Sequence, residues 1–240
     1  MRSETLLLEL AYQGSAFHGV APQAGFVTVS SELTRRLSSA FGSAPRALAF
    51  SSRTDAGVDA RQNYASCRVP QVNVERGLAA LVAANDAALR VLSTQRVERS
   101  FHARNFARSK HYRYRLPVSD FGRPEALDLE TMQNAARLFV GEHDFSAFRA
   151  AGCGAKTTIR CIDRLTLHQL DEGIVIDVVG ASFLRKMVRI LVGALVEVGM
   201  GRQNASWISE LLEAANRRAN ARTAPARGLT LMSVELENPN

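Results

Sequence analysis

Apolar residues alternate along 5–12, placing Leu6, Leu8, Leu10 and Tyr12 on one face of a predicted strand. A turn-rich stretch with Gly14, Gly19 and Pro22 leads into 28–41, where Val29, Leu33, Leu37 and Phe41 recur at helical spacing. Strands are predicted at 47–51 and 63–69 on either side of the polar loop Ser52-Arg53-Thr54-Asp55-Ala56-Gly57-Val58-Asp59, then a helix at 74–86 and a strand at 88–97. The second half repeats the order: a strand at 111–118, a helix at 129–140 ending before Gly141, strands at 158–169 and 173–180 joined by the hairpin turn at Asp171-Glu172-Gly173, and a helix at 183–198 closed by Gly199. A helix at 204–219 and a strand at 229–236 complete the chain.

Each half thus runs β-α-β-β-α-β, the split βαβ order of ferredoxin-like units, and the expected class is α+β. The expected domains are 1–104, carrying the polar loop, and 105–240, with 99–110 as the boundary region and a cleft where two such sheets meet. At 240 residues and 46% hydrophobic residues the chain can bury a core, which excludes a disordered or collagen-like protein. The longest apolar run, 187–198, is interrupted by Arg189 and Glu197 and falls short of the ~20 residues a membrane span needs. With no secretion-signal layout at residue 1 and three cysteines without a Cys-x-x-Cys pair, a cytoplasmic chain without membrane, disulfide framework or metal is expected.

The net charge of +7 points to a polyanionic partner, although 27 arginines against three lysines (Lys110, Lys156 and Lys186) also fit GC-rich coding. Position separates the two explanations. Between 96 and 115 stand seven basic residues, interleaved with Phe101, Phe106, Tyr112 and Tyr114 and with His102 and His111, the composition that holds unstacked RNA; a solvated basic strand face would look the same. Arg217, Arg218, Arg222 and Arg227 form a second basic run.

In the polar loop, Arg53 and Asp55 are two apart and point the same way if the segment is extended, with Gly57 permitting a tight turn. An Asx-type turn alone would also explain Asp55. In the helix predicted from Phe183, Arg185 and Arg189 share a face of an otherwise apolar helix; an unpaired buried guanidinium is costly, so Arg189 should meet a carboxylate, a phosphate or a structural partner. His143-Asp144 lacks the supporting pair that a metal-dependent phosphohydrolase needs, and no nucleotide-binding fingerprint occurs.

Five ordered segments resemble the tRNA pseudouridine synthase A family over nearly the whole chain: Arg53-Thr-Asp-Ala-Gly-Val58; Phe101-His-Ala-Arg104 with Lys110-His-Tyr-Arg-Tyr114; Gly141-Glu-His-Asp-Phe-Ser-Ala-Phe-Arg149; Phe183-Leu-Arg-Lys-Met-Val-Arg189 on to Gly193; and Ala224-Pro-Ala-Arg-Gly-Leu229. The resemblance implies a pseudouridine synthase catalytic domain of two ferredoxin-like halves, acting without a cofactor as a homodimer on uridines 38, 39 and 40 of the tRNA anticodon stem-loop. It implies that Asp55 is the catalytic aspartate, that Arg189 pairs with it, and that Tyr112 packs on the target uracil. It further implies substrate binding by Arg53, Phe101, His102, Arg104, Lys110, Arg185 and Lys186. The chain departs from the family pattern at Ser52, at Asp59, at Val20-Ala21-Pro22 and at Arg185-Lys186. Two other readings compete: a non-catalytic RNA-binding protein of paired RRM-like units, and a glycosidase-like hydrolase using Asp55 and Asp59.

Overall fold

The computed structural model describes residues 3–71, 73–116, 127–171, 173–214 and 222–237. The chain divides into two compact units, Met1–Arg108 with Thr230–Asn240, and Ser109–Leu229. The last strand, expected with the second half, therefore groups with the first. The architecture is α+β, each unit carrying a largely antiparallel sheet. Among the described residues no helix is long and apolar enough to cross a membrane.

In the first unit the elements run β1 (Ser3–Tyr12), α1 (Val29–Phe41), β2 (Arg46–Phe50), β3 (Asp59–Pro70), α2 (Val74–Ala83) and β4 (Leu89–Val97), with β9 (Leu229–Leu236) joining from the far end of the chain. β1 lies between β4 and β3, antiparallel to both. The long β3 then pairs twice on its other edge: its later residues with β2, through Phe50↔Ala65 and Arg46↔Arg68, and its first residues, Asp59 and Ala60, in parallel with Thr230 and Leu231 of β9. Leu6, Leu8 and Leu10 are fully buried, as the alternation predicts. Leu7, on the opposite face, is buried too, because Phe101 and Ala103 pack over it with Tyr64, Val97, Phe106 and Leu236.

Helix α1 opens with a capping box, in which the Thr28 side chain accepts from Ser31 N and the Ser31 hydroxyl accepts from Thr28 N. It stops at Gly42, whose φ of +72° places it in the left-handed region. At Gly77 of α2 a Cβ would lie 2.4 Å from the Phe41 ring, so this glycine is what lets the two helices close together. Arg36 fastens them to the sheet. Its guanidinium, 3% exposed, donates to Glu32 Oε1 (2.7 Å), Asp86 Oδ2 (2.6 Å), Ala84 O (2.7 Å) and Leu89 O (2.8 Å).

The second unit begins with β5 (Ala107–Arg115), which crosses the unit boundary, and continues through α3 (Leu129–Arg137), β6 (Gly141–Asp144), β7 (Ile159–Leu170), β8 (Gly173–Gly180), α4 (Met187–Gly199) and α5 (Ala205–Ala214). Its strand order is β5-β8-β7-β6, antiparallel throughout. The edge strand β6 was not expected from the sequence; it has only four residues. Helix α4 is buried along most of its length, but it starts at Met187 rather than at 183, because Lys186 adopts φ +60° as its N-cap. Arg185 thus precedes the helix and shares no helical face with Arg189. The predicted helix 204–219 is described only to Ala214, and Arg217 and Arg218 lie outside the described residues.

Replacing Arg36 with alanine removes a buried donor from Glu32, Asp86, Ala84 O and Leu89 O at once, and urea unfolding should show a loss of about 3 kcal/mol. Glu32 is held down at about 2 by hydrogen bonds from Arg35, with burial opposing and Arg36 adding to the shift. A depressed carboxylate stabilises the fold above its ordinary range, near pH 4.5, and loses that contribution as pH falls toward 2. Glu32→Gln should therefore flatten the acid limb of stability measured between those limits.

Candidate active site

The polar loop of the first unit is organised by one buried side chain. Asn63, fully buried in β3, accepts from the Ser51 hydroxyl (2.7 Å), Ser52 N (3.2 Å) and Tyr64 N (2.9 Å), and donates to Ser52 O (2.9 Å) and the Tyr12 hydroxyl (3.0 Å). Tyr12 in turn shares a 2.9 Å hydrogen bond with the Thr54 hydroxyl. Thr54 is therefore drawn inward and buried, while its neighbours Arg53, exposed, and Asp55, half-buried, are turned the other way. Val58 N donates to Asp55 O (3.2 Å) across a tight turn in which Gly57 has φ +79°.

Two glycines of the first loop bring its backbone against this turn. A Cβ on Gly14 would sit 2.4 Å from the Val58 backbone, and one on Gly19, at φ +82°, 3.0 Å from Thr54 O. Val20 N donates to Thr54 O (3.1 Å), and Asp59 Oδ1 accepts from Gly14 N (2.7 Å). The departures at Val20, Ser52 and Asp59 therefore have structural tasks: Val20 and Ser52 are buried, and Asp59 clamps the first loop to the start of β3. A carboxylate held in this way gives no support to a catalytic pair with Asp55.

In the second unit Tyr112 is 7% exposed on β5, with its ring edge-on to Phe183 at 5.3 Å and 89°. Arg189 is half-buried; its Nε donates to Ala224 O (2.7 Å), and its own carbonyl accepts from Ala224 N (3.0 Å). Tyr114, fully buried, donates to Pro225 O (3.0 Å), and burial pushes its hydroxyl up to about 12 against the opposing charges of Arg189 and Arg227. The segment 222–228 reaches these side chains because of glycines: a Cβ on Gly193 would overlap Arg222 O at 1.6 Å, and one on Gly228 would lie 2.6 Å from the Tyr114 ring. Arg185 is exposed and donates to Ala151 O (3.1 Å), Lys186 is half-buried, and Lys110 is buried with its amine 3.2 Å from Ala181 O.

The basic cluster splits on inspection. Arg96 pairs with Glu4 and Glu75, Arg108 with Glu237, and Arg113 with Asp177, which also meets His111. Arg99, Arg104 and Arg115 are exposed, and His102 is half-buried next to Phe101. Phe101 is a core residue, stacked on Phe106 at 4.4 Å and packed on Leu7, so its ring is taken up by the protein. His143 bonds Val140 O, and Asp144 Oδ1 accepts from Ser146 N, as structural residues do. Sequence reasoning missed Asn63 and the clamping role of Asp59. The available signal was an amide at a core-facing strand position, in phase with Ala65, Cys67 and Val69.

A family model described as tRNA pseudouridine synthase matches residues 135–237. A tRNA pseudouridine synthase A of Syntrophotalea carbinolica is 39% identical over 245 residues, covering 95% of this chain and 94% of the relative. One from Geotalea uraniireducens is 40% identical over 248 residues, with 98% and 99% covered. One from Acetivibrio thermocellus is 36% identical over 250 residues, again with 98% and 99% covered.

Asn63→Ala should expose the polar loop's dependence on this amide. We expect a stability loss of about 3 kcal/mol by denaturant titration and faster amide exchange across 51–59, with exchange in α1 changed only by the global loss.

Proposed function

The chain belongs to the tRNA pseudouridine synthase A family and isomerises uridine in tRNA to pseudouridine, and on that premise we propose that Asp55 performs the chemistry. The observation that carries this is the build of its loop: Asn63 bonds Ser51 and Ser52 where the loop begins and bonds Tyr12, which bonds the buried Thr54, so that Asp55 next to it is turned outward and half-exposed. In the reaction the C1′–N1 bond breaks, the uracil turns over, and C5 bonds to C1′ while its hydrogen leaves to solvent. A carboxylate serves this either by attacking C1′ or by removing a sugar proton in a glycal route.

The uridine must first leave its stack, at a cost of a few kcal/mol. Arg53, exposed beside Asp55 in the chain, is suited to contact the phosphates or hold the opened strand. Tyr112 is the ring that packs on the uracil; its edge contact with Phe183 supports a fixed orientation. Arg189 is the basic residue that its family motif assigns as partner of the catalytic aspartate, and the bond of its Nε to Ala224 O supports a fixed side chain. Arg104 and Arg185, both exposed, with His102 and Lys186, contribute RNA contacts, and Lys110 is a positioning residue. Phe101, stacked on Phe106 and packed on Leu7, supports this segment from beneath.

The substrate uridines are 38, 39 and 40 of the anticodon stem-loop, and the enzyme works as a cytoplasmic homodimer without a cofactor. The order β4-β1-β3-β2 in the first unit supports a ferredoxin-like half, and the succession β5-α3-β7-β8-α4 supports a second with β6 added at its edge.

Tritium release from tRNA labelled at uridine C5 tests the assignment. Asp55→Ala should release none while retaining tRNA binding, and near wild-type release would refute it. Tyr112→Phe, which keeps the ring, should lose less than about tenfold in rate; a loss as complete as that of Asp55→Ala would give the hydroxyl a chemical role.

A further inference from the structure

The first loop carries an aromatic surface that neither the core nor the proposed chemistry uses. Phe26 is 51% exposed, and among the described residues it is the one Phe, Tyr or Trp in the exposed class. Its ring lies on that of His18, also exposed, with centroids 4.4 Å apart and planes tilted by 38°. Val27 beside it is 58% exposed. The three residues adjoin, so their exposed surface is contiguous and not scattered.

The loop is fixed, and fixed to the catalytic turn. His18 N donates to Val27 O (2.9 Å), Gln23 Nε2 to His18 O (2.5 Å) and Phe26 N to Gln23 O (3.3 Å), which tie the two rings into one unit. Val29 N and Ser30 N donate to Gly19 O and Val20 O, joining that unit to the first turn of α1. Gly19, the residue after His18, packs against Thr54 O, Ala56 N and Asp55 C, and Val20 N bonds Thr54 O. The ring pair is therefore one residue removed from the backbone of Asp55.

We propose that Phe26, backed by His18, is a stacking platform for a nucleobase flanking the uridine that reacts. Pulling one base out of a stack leaves its neighbours with an uncovered face, and a rigid aromatic ring anchored to the catalytic turn supplies the missing surface. Stacking uses the π-face common to all bases, so the platform holds RNA without reading its sequence. The exposed Arg53 guanidinium on the same turn and the net charge of +7 suit an RNA strand rather than an apolar protein partner. The proposal rests on Asp55 as the catalytic residue.

The test uses anticodon stem-loops with 2-aminopurine at single positions on either side of the target uridine, together with tritium release from matched substrates. At one flanking position the wild-type enzyme should quench the 2-aminopurine. Phe26→Ala should lose that quench and raise KM roughly tenfold, with kcat changed less than about twofold. Phe26→Trp should restore both, and an abasic nucleotide at that position should abolish the difference between wild type and Phe26→Ala. An unchanged KM and quench in Phe26→Ala would overturn the platform while leaving the Asp55 assignment intact. A KM effect that persists on the abasic substrate, or an altered sedimentation of Phe26→Ala in place of altered RNA binding, would equally overturn it. Failure of the Asp55 reading shows separately, as tritium release by Asp55→Ala.

Discussion

A single carboxamide holds the polar loop in shape. Strand β3 would ordinarily place an apolar side chain at position 63, and Asn63 instead brings two donors and two acceptor sites into a volume closed to water. Its partners Ser51, Ser52 and Tyr64 lie in the loop or beside it, and the fourth, Tyr12, ends the neighbouring strand β1. Tyr12 passes the constraint to Thr54, and the inward turn of Thr54 decides which way Arg53 and Asp55 face. A buried polar network of this kind is stabilising only when all its members are satisfied, and here the requirement to satisfy them fixes the geometry of the loop. Gly14 and Gly19 extend the same order outward, since their missing side chains let the first loop lie on the turn.

The second unit reaches a comparable result with backbone carbonyls. Arg189 and Tyr114 each donate to the segment 224–225, and that segment lies against α4 only because residue 193 has no side chain. Charge is sorted as well. Arg36, Arg96, Arg108 and Arg113 are structural, each answering a carboxylate, whereas Arg53, Arg104 and Arg185 remain exposed around motif segments. The surplus of arginine thus divides into cations that hold the fold together and cations left exposed.

The strands were legible where one face is apolar: Leu6, Leu8 and Leu10 of β1 and Ala65, Cys67 and Val69 of β3 are buried in alternation. The burial of Leu7 could not be read from β1 alone, because the residues that cover it, Phe101 and Ala103, lie some ninety positions away, and local periodicity holds no information about them. The early start assigned to α4 has a similar origin. Leu184, Met187, Val188 and Leu191 keep helical spacing across Lys186, whose positive φ leaves no mark in the pattern. Strand β6 was missed because four residues are too few to show a period. At the site, the motif residues could be named from their resemblance, whereas the burial of Phe101 and Tyr112 was not visible from composition. Asn63 was visible only as a polar residue at a core position, and its significance emerged from its partners.

The most direct test of this account is single-turnover tritium release from C5-labelled tRNA by Asn63→Ala, at saturating enzyme and at a temperature where the variant is folded. If the buried amide sets the presentation of Asp55, the chemical step should slow by roughly a hundredfold while tRNA affinity stays within about threefold of wild type. A single-turnover rate equal to that of the wild type would show that the loop holds its shape without Asn63, and would contradict the account.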